Sequence, residues 1–265
     1  MFCFLISVIM LRNSFVFLDG VGERLEKNIW RQGVLDWEDF REKDDIDGIG
    51  KIRKRKFDNF IKKAEKNLEK SNKKFFSYQF PSKHYWRLFK EFSDDVAYID
   101  IETTGLDFYK NKVTVVGIYD GESSSVFVYG DDLNTDNLQK ELDKHSILVS
   151  FNGKRFDIPF LKQKFPDLTF DHPHIDLMYG CRRIGLSGGL KNIEKCLNIQ
   201  RTGDGKDVDG REAVRLWKRF ERSNDKEALH RLVEYNKKDI KNLKPLMEHV
   251  YKSLKTDCFG KCISS

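Results

Sequence analysis

The chain has 265 residues, of which 39% are hydrophobic, 34% charged and 13% aromatic, and its net charge is +6. The 21 Phe and 9 Tyr, against 18 Gly and 5 Pro, exclude a wholly disordered, collagen-like or low-complexity chain and leave room for one full core with an appendage. Charge is uneven: residues 51–90 hold 14 Lys or Arg against Asp58, Glu65 and Glu69, a net +11, so the remainder of the chain is net −5. A basic arm beside a mildly acidic body implies either a polyanionic partner or a solvated basic helix.

The first eleven residues, MFCFLISVIML, are apolar. A bilayer span needs about 20 such residues, and neither a basic leader nor a small-residue cleavage site is present, so no membrane association is expected. The run is either a short buried element or an extension ahead of a start at Met10, and the second reading is preferred. Residues 13–45 read as short helices. The turn Leu18-Asp19-Gly20-Val21-Gly22 precedes the helical pattern Leu25, Ile29, Trp30, and a second turn, Asp47-Gly48-Ile49-Gly50, leads into a basic run. The pair is read as partly helix-hairpin-helix-like, with backbone N–H groups that either meet a phosphate or serve only helix packing. Phe57, Phe60, Ile61, Ala64 and Leu68 fall at helical spacing among lysines, giving an amphipathic basic helix. Lys51, Arg53, Lys54 and Arg55 at its start are the expected phosphate contacts. The aromatics between Phe75 and Phe89 read as core rather than as a base-stacking platform.

From Val96 the texture changes. Strands are expected at 96–101, 112–119, 125–129, 147–150 and near Ile175. Helices are expected at 136–142, 157–165, 190–197, 211–220 and 226–254. Three hairpin-linked strands, a crossover helix and further strands indicate an α/β class with a mixed five-stranded sheet flanked by helices. The domain reading is an N-terminal helical and basic region at 1–95, an α/β domain at 96–254 and a frayed tail at 255–265. Five widely spread cysteines are an odd number. They argue against a disulfide scaffold and for a reducing, cytoplasmic setting. Cys258 and Cys262 lack the further ligands that zinc needs.

The acids carry the functional signal. Asp100 and Glu102 are two apart at a strand end, so both side chains lie on one face, at the C-terminal edge where α/β sheets place their sites. Asp157 follows a glycine turn and opens a helix, where helix capping alone accounts for it. Tyr235 and Asp239 are i and i+4 on a late helix beside Leu229, Leu232 and Ile240, so they share a face near the core. Together the four carboxylates suit two Mg²⁺ or Mn²⁺ ions and phosphodiester hydrolysis, with Tyr235 orienting the water.

Three stretches resemble the exonuclease motifs of the DEDD superfamily, tyrosine subtype: Asp-Ile-Glu-Thr-Thr-Gly-Leu at 100–106, Ser-Phe-Asn-Gly-Lys-Arg-Phe-Asp-Ile-Pro-Phe-Leu at 150–161 and Tyr-Asn-Lys-Lys-Asp at 235–239. Gly188-Gly189-Leu190-Lys191-Asn192-Ile193-Glu194 and Asp209-Gly210-Arg211-Glu212-Ala213-Val214 with Trp217 are similar to the YprB-like ribonuclease H-like group. The resemblance implies an RNase H-like 3'-5' exonuclease acting on the end of single-stranded DNA or RNA. Asp100 would bridge two metal ions, Glu102 and Asp239 would complete the first site, and Asp157 would support the second. Thr103, Gly105, Leu106 and Asn152 would touch nucleic acid, while His174 and Asp176 would be supporting or structural. Two other readings remain: a nucleic-acid-binding or repair-complex module with a vestigial site, and an endonuclease of the same fold.

Overall fold

The structure is a computed structural model, and it describes residues 9–200 and 210–263. Residues 1–8 of the apolar run, Asp209 and the last two residues of the tail lie outside the described residues. The chain forms two compact units, Met1–Ser93 with Tyr251–Ser265, and Asp94–Val250.

In the first unit, helices α1 (Glu23–Arg31), α2 (Trp37–Glu42), α3 (Lys51–Glu69) and α4 (Lys73–Gln79) pack on the aromatics. Asp36 caps α2, accepting the Glu38 and Asp39 N–H groups, while the Asp39 carboxylate accepts those of Leu35 and Asp36. A buried ion pair organises the segment before α1. Glu26 accepts both Arg87 Nη groups (2.7 and 2.8 Å) and the Phe15 and Val16 N–H groups. Of the expected aromatic core, Phe76, Phe80, Trp86 and Phe89 are buried and Phe75 and Tyr85 partly so, whereas Tyr78 is exposed.

Two expectations fail here. The Leu18–Gly22 turn does not join two helices, because the described residues before Glu23 form turns only. The tail is not frayed. Phe259 is buried against Trp30, with centroids 5.1 Å apart, and the Cys262 thiol donates to the Lys27 carbonyl. Burial of one large aromatic outweighs the weak helical signal of that stretch.

The second unit is built on strands β1 (Val96–Thr103), β2 (Val113–Tyr119), β3 (Ser124–Val128), β4 (Ile147–Ser150) and β5 (His174–Asp176). Their order is β3-β2-β1-β4-β5, with β1 antiparallel to β2 and parallel to β4. Helices α5 (Thr135–Leu142), α6 (Asp157–Lys164), α7 (Leu177–Arg183), α8 (Leu190–Cys196), α9 (Gly210–Ser223) and α10 (Lys226–Lys255) flank it. Strand alternation divides the core. Ala97, Ile99, Ile101, Val116 and Ile118 pack on Leu138, Leu142, Phe160 and Leu161 of α5 and α6, whereas Val115 packs on α9 and α10. Asp100 and Glu102, in the other parity from Ile99 and Ile101, face α10. Helix α7 was not expected. It follows a three-residue strand directly, and Asp176 is both the last strand residue and the cap that accepts the Met178 N–H.

Candidate active site

β1 is the middle strand and extends past its parallel neighbour: pairing with β4 ends at Tyr98↔Val149. Beyond it a bulge between Glu102 and Thr103 re-aims the strand end. Asp100, Glu102 and Asp239 meet at this end, their carboxylate oxygens all within 4.8 Å of one another. Glu102 and Asp239 are buried and Asp100 keeps a partly exposed edge. Asp157 is the first residue of α6, after the cap position at Phe156, and its carboxylate accepts its own N–H. Its Oδ1 also reaches β1 and accepts the Ile101 N–H at 3.2 Å, beyond the last β1–β4 pair.

Crowding of like charge marks the set. Desolvation first, then Asp157, Glu102 and Asp239, hold the Asp100 carboxyl well above its usual range. Desolvation followed by Asp239 and Asp157 does the same to Glu102. Burial pushes Asp157 up to about 7. A Tyr235 hydrogen bond to Asp239 closes the i, i+4 pair, and burial with the three acids raises the phenol further.

Three residues to which sequence reading assigned no role complete the arrangement. Asn236, fully buried, donates its Nδ2 to the Asp100 carbonyl (3.2 Å) and to Asp100 Oδ2 (3.0 Å). Gly117 lies opposite Asp100 on β2, and a Cβ there would overlap Asn236 Oδ1. The glycine therefore leaves the space in which the amide sits. Lys191, at the start of α8, puts its Nζ 5.0 Å from the Tyr235 ring centroid, and its charge favours ionised Glu102. A sequence signal existed for Asn236: it lies four residues from both Leu232 and Ile240, a polar amide inside an apolar stripe.

The remaining expected contacts are dispersed. Thr103 Oγ1 donates to the Gly105 carbonyl, and Leu106 is 84% exposed. Asn152 has φ +65° and gives its N–H to Asp176 Oδ1 at 2.8 Å. Asp176 also accepts from Lys154 N–H, so it braces the turn that leads to Asp157. His174, hydrogen-bonded to Ser150 Oγ at 2.7 Å, is held neutral by burial, with its pKa lowered to about 3. In the first unit Lys51 and Arg55 are exposed, and Arg53 donates to the Asp19 carbonyl. Lys54 departs from expectation. It is buried on Asp58 (2.7 Å) over the Phe40 ring, because its helical position faces inward.

The donor set fits a hard divalent cation: all ligands are carboxylate oxygens, close together, sharing a negative charge that burial makes unfavourable without a cation. Among the described residues no helix is long and apolar enough to cross a membrane.

A model of the RNase_H superfamily matches residues 97–251. The chain belongs to the RNase H superfamily. The match spans the five strands of its RNase H-like fold and all four acids. This superfamily member is 29% identical over 161 residues to the uncharacterized protein MJ0365 of Methanocaldococcus jannaschii, covering 54% of this chain and 88% of that protein. Among solved structures it is similar to NrnC of Brucella melitensis, with TM-score 0.47, 21% identity, and coverage of 66% of this chain and 82% of that one. The Nibbler EXO domain of Aedes aegypti gives TM-score 0.41 and 11% identity, covering 68% and 91%.

Proposed function

We propose that the chain is a divalent-metal-dependent nuclease of the DEDD type, tyrosine subtype and YprB-like, removing nucleotides 3'-5' from single-stranded DNA or RNA. The observation that carries this reading is the gathering of Asp100, Glu102 and Asp239 within 4.8 Å of one another, with Asp157 repelling Asp100 from the next element. Asp100, Glu102, Asp239 and Asp157 would hold two Mg²⁺ or Mn²⁺ ions, which would supply activation of water and neutralisation of charge on the phosphate.

The protein's own groups do the rest. Tyr235, anchored on Asp239, presents its hydroxyl to orient the attacking water. Asn236 fixes Asp100 so that its carboxylate does not rotate away. Lys191, beside Tyr235 and Glu102, offers a cation to a non-bridging phosphate oxygen. Leu106, exposed after the bulge, gives the terminal base an apolar face, and Thr103, Gly105 and Asn152 are further contacts for the nucleic acid. Lys51 and Arg55 hold phosphates in the first unit.

The test is stepwise shortening of end-labelled DNA and RNA oligonucleotides with Mg²⁺ or Mn²⁺, each with a 3' or a 5' block. Ladders that stop only with the 3' block, and that vanish in Asp100→Asn, are expected. Internal cuts insensitive to either block would replace this reading with an endonuclease. Full activity in Asp100→Asn would remove the site from the reaction.

A further inference from the structure

A second feature lies in the first unit. A cavity of about 870 Å³ opens between the Leu18–Gly22 turn and α3. Phe17, Leu18, Val21 and Phe57 form a buried apolar floor. Phe60 forms a half-buried wall. Its ring is pinned between Phe17 and Phe75, each with a centroid 5.9 Å away, so the face it shows is rigid.

The rim carries two cations, Arg53 and Lys56, against one exposed acid, Asp19. Arg53 is not a loose surface side chain: it donates to the Asp19 carbonyl at 2.8 Å and lies over Phe57, 5.1 Å from the ring centroid. Gly20, at φ +68°, makes this possible, since a Cβ there would come 2.6 Å from Arg53 Nη2. Lys56 is exposed one helical turn further on and also lines the cavity. Of the other exposed cations of α3, Lys63 lies two turns beyond Lys56 on the same side, whereas Arg55, Lys62 and Lys66 belong to the opposite side of the helix. Two acids of this helix are engaged elsewhere, Asp58 by Lys54 and Glu65 by Arg41, and the third, Glu69, is exposed at its far end.

A ligand that satisfies these surfaces has a flat apolar body with anionic groups beside it. The volume falls in the ~300–1,000 Å³ range of built ligand sites. We propose that the cavity is a base pocket: it takes one unstacked nucleotide of a single-stranded DNA or RNA, the base against Phe60 and the neighbouring phosphates on Arg53, Lys56 and Lys63. A duplex cannot do this without unstacking, because its bases are turned inward. The proposal deepens the nucleic-acid reading above, and its test needs no cleavage.

The full chain carrying Asp100→Asn, in EDTA, is titrated against fluorescently labelled oligo(dT), oligo(rA) and a blunt DNA hairpin over a salt series. Single strands should bind at least tenfold more tightly than the hairpin. One stacked base is worth ~1–3 kcal/mol, so Phe60→Ala should weaken single-strand binding roughly 5- to 150-fold and leave hairpin binding unchanged. Lys56→Gln should flatten the slope of log K against log salt by about 0.7, the loss of one single-strand phosphate contact. Phe60→Leu keeps an apolar group in the packing and loses the ring, so a folded Phe60→Leu with wild-type affinity overturns the pocket. Equal affinity for hairpin and single strand also overturns it, as does tighter binding to vesicles of phosphatidylserine and phosphatidylcholine than to either oligonucleotide. If these binding effects hold while the wild-type chain cleaves nothing, the pocket stands and the nuclease reading falls.

Discussion

Replacing Gly117 by Ala tests whether Asn236 is held in place by the strand it rests on. A Cβ at Gly117 overlaps Asn236 Oδ1 and comes 3.0 Å from its Cγ and 3.1 Å from Ile240 Cδ1. The backbone cannot retreat, because β2 pairs on both sides, with Asp100 opposite Gly117 on one and Val126 on the other. The amide must therefore swing away from Asp100. Overpacking of this kind costs about 1–3 kcal/mol. Loss of a hydrogen bond to a carboxylate adds about 1.5–3 kcal/mol. A total of roughly 4 kcal/mol corresponds to a fall in Tm of about 8–16 °C for a domain of this size. The assay is thermal unfolding with a parallel Mn²⁺ titration of the unlabelled protein. In an Asn236→Ala background the same glycine change meets no amide and should be nearly free of effect. If Gly117→Ala melts as wild type, or is equally harmful in both backgrounds, the coupling between strand and amide does not exist.

Asp157 has its pKa raised to about 7 from 3.8, so the folded state holds that proton more tightly than the unfolded state does. This stability is present near pH 4 and is lost as pH rises through 7. Metal-free wild type should therefore lose ground to Asp157→Asn between pH 5 and pH 8 by at least ~1.4 kcal/mol, read from urea midpoints. Lys191→Met should lower single-turnover cleavage about tenfold, or ~1.4 kcal/mol, with Mn²⁺ affinity retained, since the residue reaches the phosphate rather than the metal. Glu26→Gln leaves the Arg87 guanidinium buried without its counter-charge. It should cost about 3–5 kcal/mol in the first unit, measured by denaturant unfolding.

The strands and the acid positions were legible because their physics is local. Period two placed Asp100 and Glu102 on one face, and i, i+4 spacing placed Tyr235 beside Asp239. The five strands read from hydrophobic runs all exist, with β1 reaching two residues further, through Glu102 and Thr103. What escaped was tertiary. Asp157 looked like a helix cap, and its partner on β1, the Ile101 N–H, lies 56 residues earlier. Lys54 and Arg55 are adjacent in sequence, and only packing on Phe40 decides that one is buried and the other wet. Lys191 belongs to a short helix whose role depends on where Tyr235 stands. The tail carried no periodic signal, and its order comes from a pocket beside Trp30.

The first unit is assembled from both ends of the chain, and this has a temporal consequence. During synthesis residues 9–93 leave the ribosome early, yet Trp30 waits for Phe259, and the Met10 N–H waits for the Tyr251 hydroxyl. The stretch 94–250 is contiguous and has all its own partners before then. The part translated first is thus completed last, after the strands of the second unit, which end at Asp176, have already left the ribosome.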